Sequence, residues 1–154
     1  FNGTTNTTLA AGTTQSQSDQ SALGAASTSS TTYVDVGNGT STGFATWTAA
    51  ASSVTKTYML RVTVRFYMSV LGATGTTMFQ VLQDGATIGG HPSNANKAPI
   101  GVAGTTYNLC TFGVVVTQTA GVAHVYKLQW KVNDGAAVAN VSTGVGTLQM
   151  TLEG

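Results

Sequence analysis

Residues 58–70, YMLRVTVRFYMSV, place Tyr58, Leu60, Val62, Val64, Phe66, Met68 and Val70 on one side, and Met59, Arg61, Thr63, Arg65, Tyr67 and Ser69 on the other. Successive side chains of a strand point to opposite faces, so a period of 2 held over thirteen residues predicts a half-buried β-strand. Residues 122–132 repeat the pattern: Val122, His124, Tyr126, Leu128, Trp130 and Val132 share one face, while Val125, Lys127, Gln129 and Lys131 share the other. Between these two, TTMFQVLQDGATIGG sets Asp84-Gly85 between strand-like runs, a hairpin signal. YNLCTFGVVVTQT reads as a further strand, broken or bulged at Gly113.

Shorter β-rich runs, TTYVDV and GFATWTA, precede them, separated by GNGTST. Residues 91–106 contain both prolines and read as a long loop that carries His91. Asp134-Gly135 is expected to turn the chain into GTLQMTLEG, where Leu148, Met150 and Leu152 share a face, so that the last two strands form a closing hairpin. No segment shows a helical period with caps. Strands at regular spacing with Gly-rich turns predict an all-β protein, an antiparallel β-sandwich or jelly roll, spanning residues 32–154.

Residues 1–31 break the pattern. After Phe1, Leu9 and Leu23 are their only large aliphatics, and neither period survives among the Ser, Thr and Gly. This stretch reads as an extended N-terminal arm. With so little to bury, it stays ordered only where another chain, or its own domain, holds it. Phe1, Leu9 and Leu23 are its candidate assembly contacts.

Composition sharpens the picture of the surface. Charged residues make up 7% of the 154, against roughly a quarter in ordinary soluble domains. With 42% hydrophobic residues the chain is not of a disordered type, so its exterior must be hydroxyl-rich and nearly neutral. Six scattered Lys and Arg and a net charge of +1 make no basic stripe, and nucleic acid is not expected as a partner. No apolar run approaches the roughly 18 residues that cross a bilayer, and no membrane partner is expected. No secretory leader pattern is visible, and the first residue, Phe1, is expected to be a processed or first ordered position.

Candidate chemistry is sparse. Asp84 and Asp134 precede glycine and serve turns, Asp19 sits in the arm, and Glu153 is near the last residue. Asp35 alone is unassigned, and a glycosidase needs two opposed carboxylates. His124 falls on an apolar face as a filler, and His91 in a solvated loop, so no convergent metal set forms. Cys110, the single cysteine, reads as a small buried residue. No G-x-S-x-G elbow and no G-x-G-x-x-G cradle occurs. Sequons at Asn2, Asn6, Asn38 and Asn140 arise by chance in so Thr-rich a chain. The chain is therefore expected to be no enzyme and to hold no cofactor or metal. Arg61, Arg65, Lys127 and Lys131 point outward, either as solubilising edge charges or as contacts for an acidic neighbour.

The run from Gly121 to Gly135, with His124, Tyr126-Lys127-Leu128-Gln129-Trp130-Lys131-Val132 and Asp134-Gly135, followed by GTLQMTLEG, resembles the last strands of jelly-roll domains in tailed-phage virion proteins. TYMLRVTVRFYMSV and TMFQVLQDGATIGG resemble their middle strands. Such domains occur in capsid decoration proteins, head fibres and tail-fibre tips, often as trimers shaped like the tumour-necrosis-factor jelly roll. The resemblance covers residues 33–154 and carries over no functional residue. It implies a virion structural protein on the particle surface, a homo-oligomer with a trimer favoured, whose partners are other virion proteins, the major capsid protein foremost. It is expected to bind and stabilise the phage particle through the N-terminal arm and the oligomeric β domain. The alternative is a receptor- or glycan-binding tip domain, with loop 91–106 as a contact and any exposed Trp or Tyr as stacking surface; Trp130 faces inward by its phase, while phase assigns no face to Trp47 and Tyr107.

Overall fold

The computed structural model describes residues 15–18, 26–36, 46–70, 72–73, 76–91, 108–141 and 148–154. Among the described residues eleven strands run in chain order: β1 (Gln15–Ser18), β2 (Ala26–Thr28), β3 (Val34–Asp35), β4 (Thr46–Ala49), β5 (Lys56–Val70), β6 (Thr77–Gln83), β7 (Ala86–His91), β8 (Asn108–Gln118), β9 (His124–Val132), β10 (Val138–Val141) and β11 (Leu148–Glu153). They form two antiparallel sheets packed as a β-sandwich.

The long alternating run is the spine of the larger sheet. Strand β5 pairs with β8 over residues 56–66, with β11 over 59–64, and with β10 over 67–70. In the smaller sheet β9 pairs with β6 on one edge and with β3 and β4 end to end on the other, while β7 closes the far side of β6.

Alternation decides what each sheet turns inward. Tyr58, Leu60, Val62, Val64, Phe66 and Met68 of β5 face Phe79 and Val81 of β6 and Tyr126, Leu128, Trp130 and Val132 of β9, all buried. Rings interlock across the two sheets. Phe66 meets Phe79 edge-on at 5.2 Å between centroids, and Phe79 stacks on Trp130 at 6.5 Å. Each large side chain buried in this way contributes about 1.5–3 kcal/mol. Val70 and Val122 share the phase of the core yet are 48% and 43% exposed: Val70 is the last residue of β5, and Val122 lies in the turn two residues before β9.

The Asp84-Gly85 hairpin is present, with φ of 52° and 87° at its two central residues. Positive φ at both positions is the primed turn that matches strand twist. His91 is the last residue of β7, opposite Phe79, rather than a loop residue. Residues 92–107, Tyr107 among them, lie outside the described residues.

Two other expectations are corrected. The last two long strands do not form a closing hairpin: β9 lies in the smaller sheet and β11 in the larger, with the four-residue β10 between them in sequence. Periodicity tells which face a residue takes and not which strand lies beside it. Nor is β8 broken at Gly113, which pairs with Arg61 in unshifted register. The bulges fall instead at Val81/Leu82 and Val138/Ala139.

Within residues 1–31, β1 pairs with β11 and β2 with β10, both on the chain's own larger sheet. The amide of Val132 donates to the Ser30 carbonyl at 2.9 Å, tying the exit of β2 to the smaller sheet as well. Phe1, Leu9 and Leu23 lie outside the described residues, as do Asp19, Asn2, Asn6 and Asn38.

Candidate assembly surface

The outward residues of β5 and β8 form rows across the larger sheet. Thr57 pairs with Thr117, Met59 with Val115, Arg61 with Gly113, Thr63 with Thr111, and Arg65 with Leu109. Strand β11 continues these rows, with Glu153 beside Met59, Thr151 beside Arg61 and Gln149 beside Thr63 in register. The hydroxyls of Thr63 and Thr111 bond each other at 3.1 Å. Leu109 and Val115 stand 61% and 65% exposed, and Met59 39%. Small hydroxyl side chains have little rotamer freedom to lose, so such a face costs little to bury against a neighbour.

The candidate cations are largely engaged within the chain. The Arg61 guanidinium makes a two-pronged pair with Glu153, Nε to Oε1 and Nη2 to Oε2, each at 3.1 Å. This carboxylate also holds the guanidinium above its ordinary pKa, by hydrogen bond first and charge second. Arg65 lies on the same face, beside Leu109. Lys127 and Lys131 lie on the outer face of the opposite sheet. There Lys127 Nζ donates to Asp35 Oδ2 at 3.0 Å, and the Lys131 ammonium sits 4.8 Å from the centre of the Tyr33 ring. Gln129 Nε2 donates to Asp35 Oδ1 and its Oε1 accepts from Gln80 Nε2, so one polar ladder crosses β6, β9 and β3. Asp35, the acid left unassigned by sequence, is the anchor of this ladder. The structure thus places the seven candidate contacts in three groups: Arg61 and Arg65 on one outer face, Lys127 and Lys131 on the other, and the three arm residues outside the described residues.

The remaining acids serve architecture too. Asp134 Oδ1 accepts from the Ala136 amide at 2.9 Å, and its Oδ2 from the Ala73 amide at 2.6 Å, pinning the β5–β6 connection to the β9–β10 turn. Asp84 reaches beyond its own turn. Its Oδ1 accepts from the Val125 amide at 2.8 Å, and its Oδ2 receives His124 Nδ1 at 2.6 Å. Backbone and imidazole donors hold this carboxyl below its ordinary pKa. His124 is more than an apolar filler, since its Nε2 accepts from the Thr119 amide at 3.3 Å. Nothing in sequence joined Asp84 to His124; only the register of β6 on β9 brings them together.

Next to this pair, Gln118 Nε2 donates to the Tyr126 hydroxyl in the buried end of the core. Burial pushes the Tyr126 phenol up to about 12, and the Cys110 thiol up to about 11. Gln118 Oε1 has no hydrogen-bond partner among the described residues. The amide of Asn140 bonds Ser69 within the sheet, and both tryptophans are core, Trp47 at 8% and Trp130 at 1% exposure. Among the described residues no group of three His, Cys, Asp or Glu could hold a metal ion. No family model, no curated protein and no solved structure matches this chain.

Proposed function

We propose that the chain is a virion structural protein, a capsid decoration or head-fibre-like subunit that binds the surface of a phage particle as a homo-oligomer, trimeric by its resemblance, and stabilises the shell. The observation that carries this reading is the outer face of the β8–β5–β11 sheet. It presents threonines in rows, three exposed apolar side chains, and a guanidinium whose charge Glu153 already balances. Such a face is suited to broad, shallow contact with a neighbour such as the major capsid protein. Residues 15–18 and 26–28 each pair along one side with the chain's own larger sheet, at its two edges, and the proposed contact is placed on the sheet face.

A protein that binds the assembled shell and not its free parts raises the shell's stability by mass action. The test uses particles stripped of the protein. The reading expects them to lose their genome at lower temperature or under milder osmotic shock, and to recover on re-addition of the purified chain. Stripped particles that are equally robust but fail to adsorb to cells would instead support the receptor-binding alternative.

A further inference from the structure

We propose that His124 is an acid-released latch between the β6–β7 and β8–β9 turns. Its ring bridges two elements by using both nitrogens in opposite senses. Nδ1 lies 2.6 Å from Asp84 Oδ2 on the β6–β7 turn, and Nε2 accepts the Thr119 amide at 3.3 Å at the end of β8. Only neutral imidazole, protonated at Nδ1, can do both at once.

Protonation puts a hydrogen on Nε2. The contact to Asp84 survives as an ion pair, while the ring and the Thr119 amide now present hydrogens to each other. One side of the bridge holds and the other lets go. The Asp84 side is doubly secured, because the Asp84 amide donates to the Val125 carbonyl and the Val125 amide donates to Asp84 Oδ1, each at 2.8 Å. Beyond Thr119 the chain is held by Ala120 N to Thr55 Oγ1 at 3.0 Å and Gly121 N to Ser52 O at 2.8 Å. Release therefore frees the Thr119 amide at the end of β8, while these two bonds and Val122 N to Thr119 O at 3.1 Å keep the turn beyond it in place.

The groups around the ring set the direction. Asp84 comes from the β6–β7 turn and remains an anion, its pKa being lowered. Tyr126 stands on the same strand and stays a neutral phenol. Gln118 and Thr119 of the β8 end are uncharged, and so is Ala49, the partner of His124 on β4. Lys56, opposite Gln118, holds its ammonium over the Tyr58 ring. The latch is a property of the domain and does not depend on what the domain is attached to.

Residue-resolved amide hydrogen exchange on the 15N-labelled chain, corrected for intrinsic rates, tests it between about pH 8 and about pH 5. Protection of the Thr119 amide should fall about tenfold, the scale of one lost hydrogen bond, in step with the His124 ring shifts. The Val125 amide should stay protected. In His124→Gln, where an amide oxygen can still accept from Thr119 and nothing titrates, Thr119 should stay equally protected at both ends of the range. Constant Thr119 protection in the native chain, a joint loss at Thr119 and Val125, or a persisting pH response in His124→Gln each overturns the proposal.

Discussion

The Met59 thioether lies directly over Gly113: a Cβ built on that glycine would be 2.7 Å from the sulfur. The two residues sit on neighbouring strands, in adjacent rows of the exposed face. Met59 is long, flexible and 39% exposed, so it can swing outward. Gly113→Ala is therefore expected to change stability by less than about 1 kcal/mol, since an alanine removes backbone freedom from the unfolded chain. Gly90→Ala is the contrast, because its Cβ would strike the Phe79 carbonyl and the Gln80 Cα, which are backbone and cannot step aside. A loss of about 2 kcal/mol or more is expected there. Urea denaturation of both variants checks the pair; equal effects would show that the glycines are not packed as described.

Phe79 touches both Phe66 and Trp130 and is fully buried. Phe79→Ala should cost about 3–5 kcal/mol by lost transfer and the cavity left behind. Phe79→Leu, which keeps most of the volume, should cost clearly less. Chemical denaturation midpoints at constant slope report the difference.

Asp84 is a carboxylate whose folded pKa is held below its ordinary value, first by the Val125 amide and then by His124. A depressed folded pKa contributes stability that is fully present above the unfolded value and is lost as pH falls through the folded one. Asp84→Asn should therefore be less stable than the native chain at pH about 6, with the gap closing as pH drops below about 4. A gap that stays constant from neutral to strongly acid solution would contradict the assignment.

Cys110 is 2% exposed, with its thiol pushed up to about 11 by burial. Thiolate is the reactive form, so alkylation by iodoacetamide at pH about 8 should run at least a hundredfold slower in the folded chain than in denaturant. Rapid labelling without denaturant would mean that the larger sheet opens at β8.

Val115 is 65% exposed and contacts the core little, so Val115→Arg should leave the melting temperature within a degree or two. On the proposed reading the same change should abolish recovery of stripped particles, by putting a desolvated charge into the contact. Full recovery with this variant would remove the β8–β5 face from the proposed contact.

Much of the architecture was legible from alternation. The inward faces of β5 and β9 follow from hydrophobic side chains two apart, and the Asp84-Gly85 turn from the demand for positive φ at two positions. Two valines, Val70 and Val122, show the limit, because phase assigns a face but does not say where a strand ends. The four-residue β10 carries too short a pattern to register, and its absence from the reading made β9 and β11 look adjacent when they lie in different sheets.

The candidate surface divides in the same way. Outward orientation of Arg61, Arg65, Lys127 and Lys131 is a matter of strand phase and was set by local sequence. What those groups touch was not. Asp35 under Lys127 and Gln129, Glu153 beside Arg61, and Asp84 against His124 join residues 40 to 94 positions apart. Local sequence determines the strands, their faces and the absence of a recognisable catalytic motif, because side-chain alternation and turn geometry are short-range properties. Tertiary structure alone decides which strands are neighbours, and so which charge meets which, because strand register is settled by the packing of the whole sandwich.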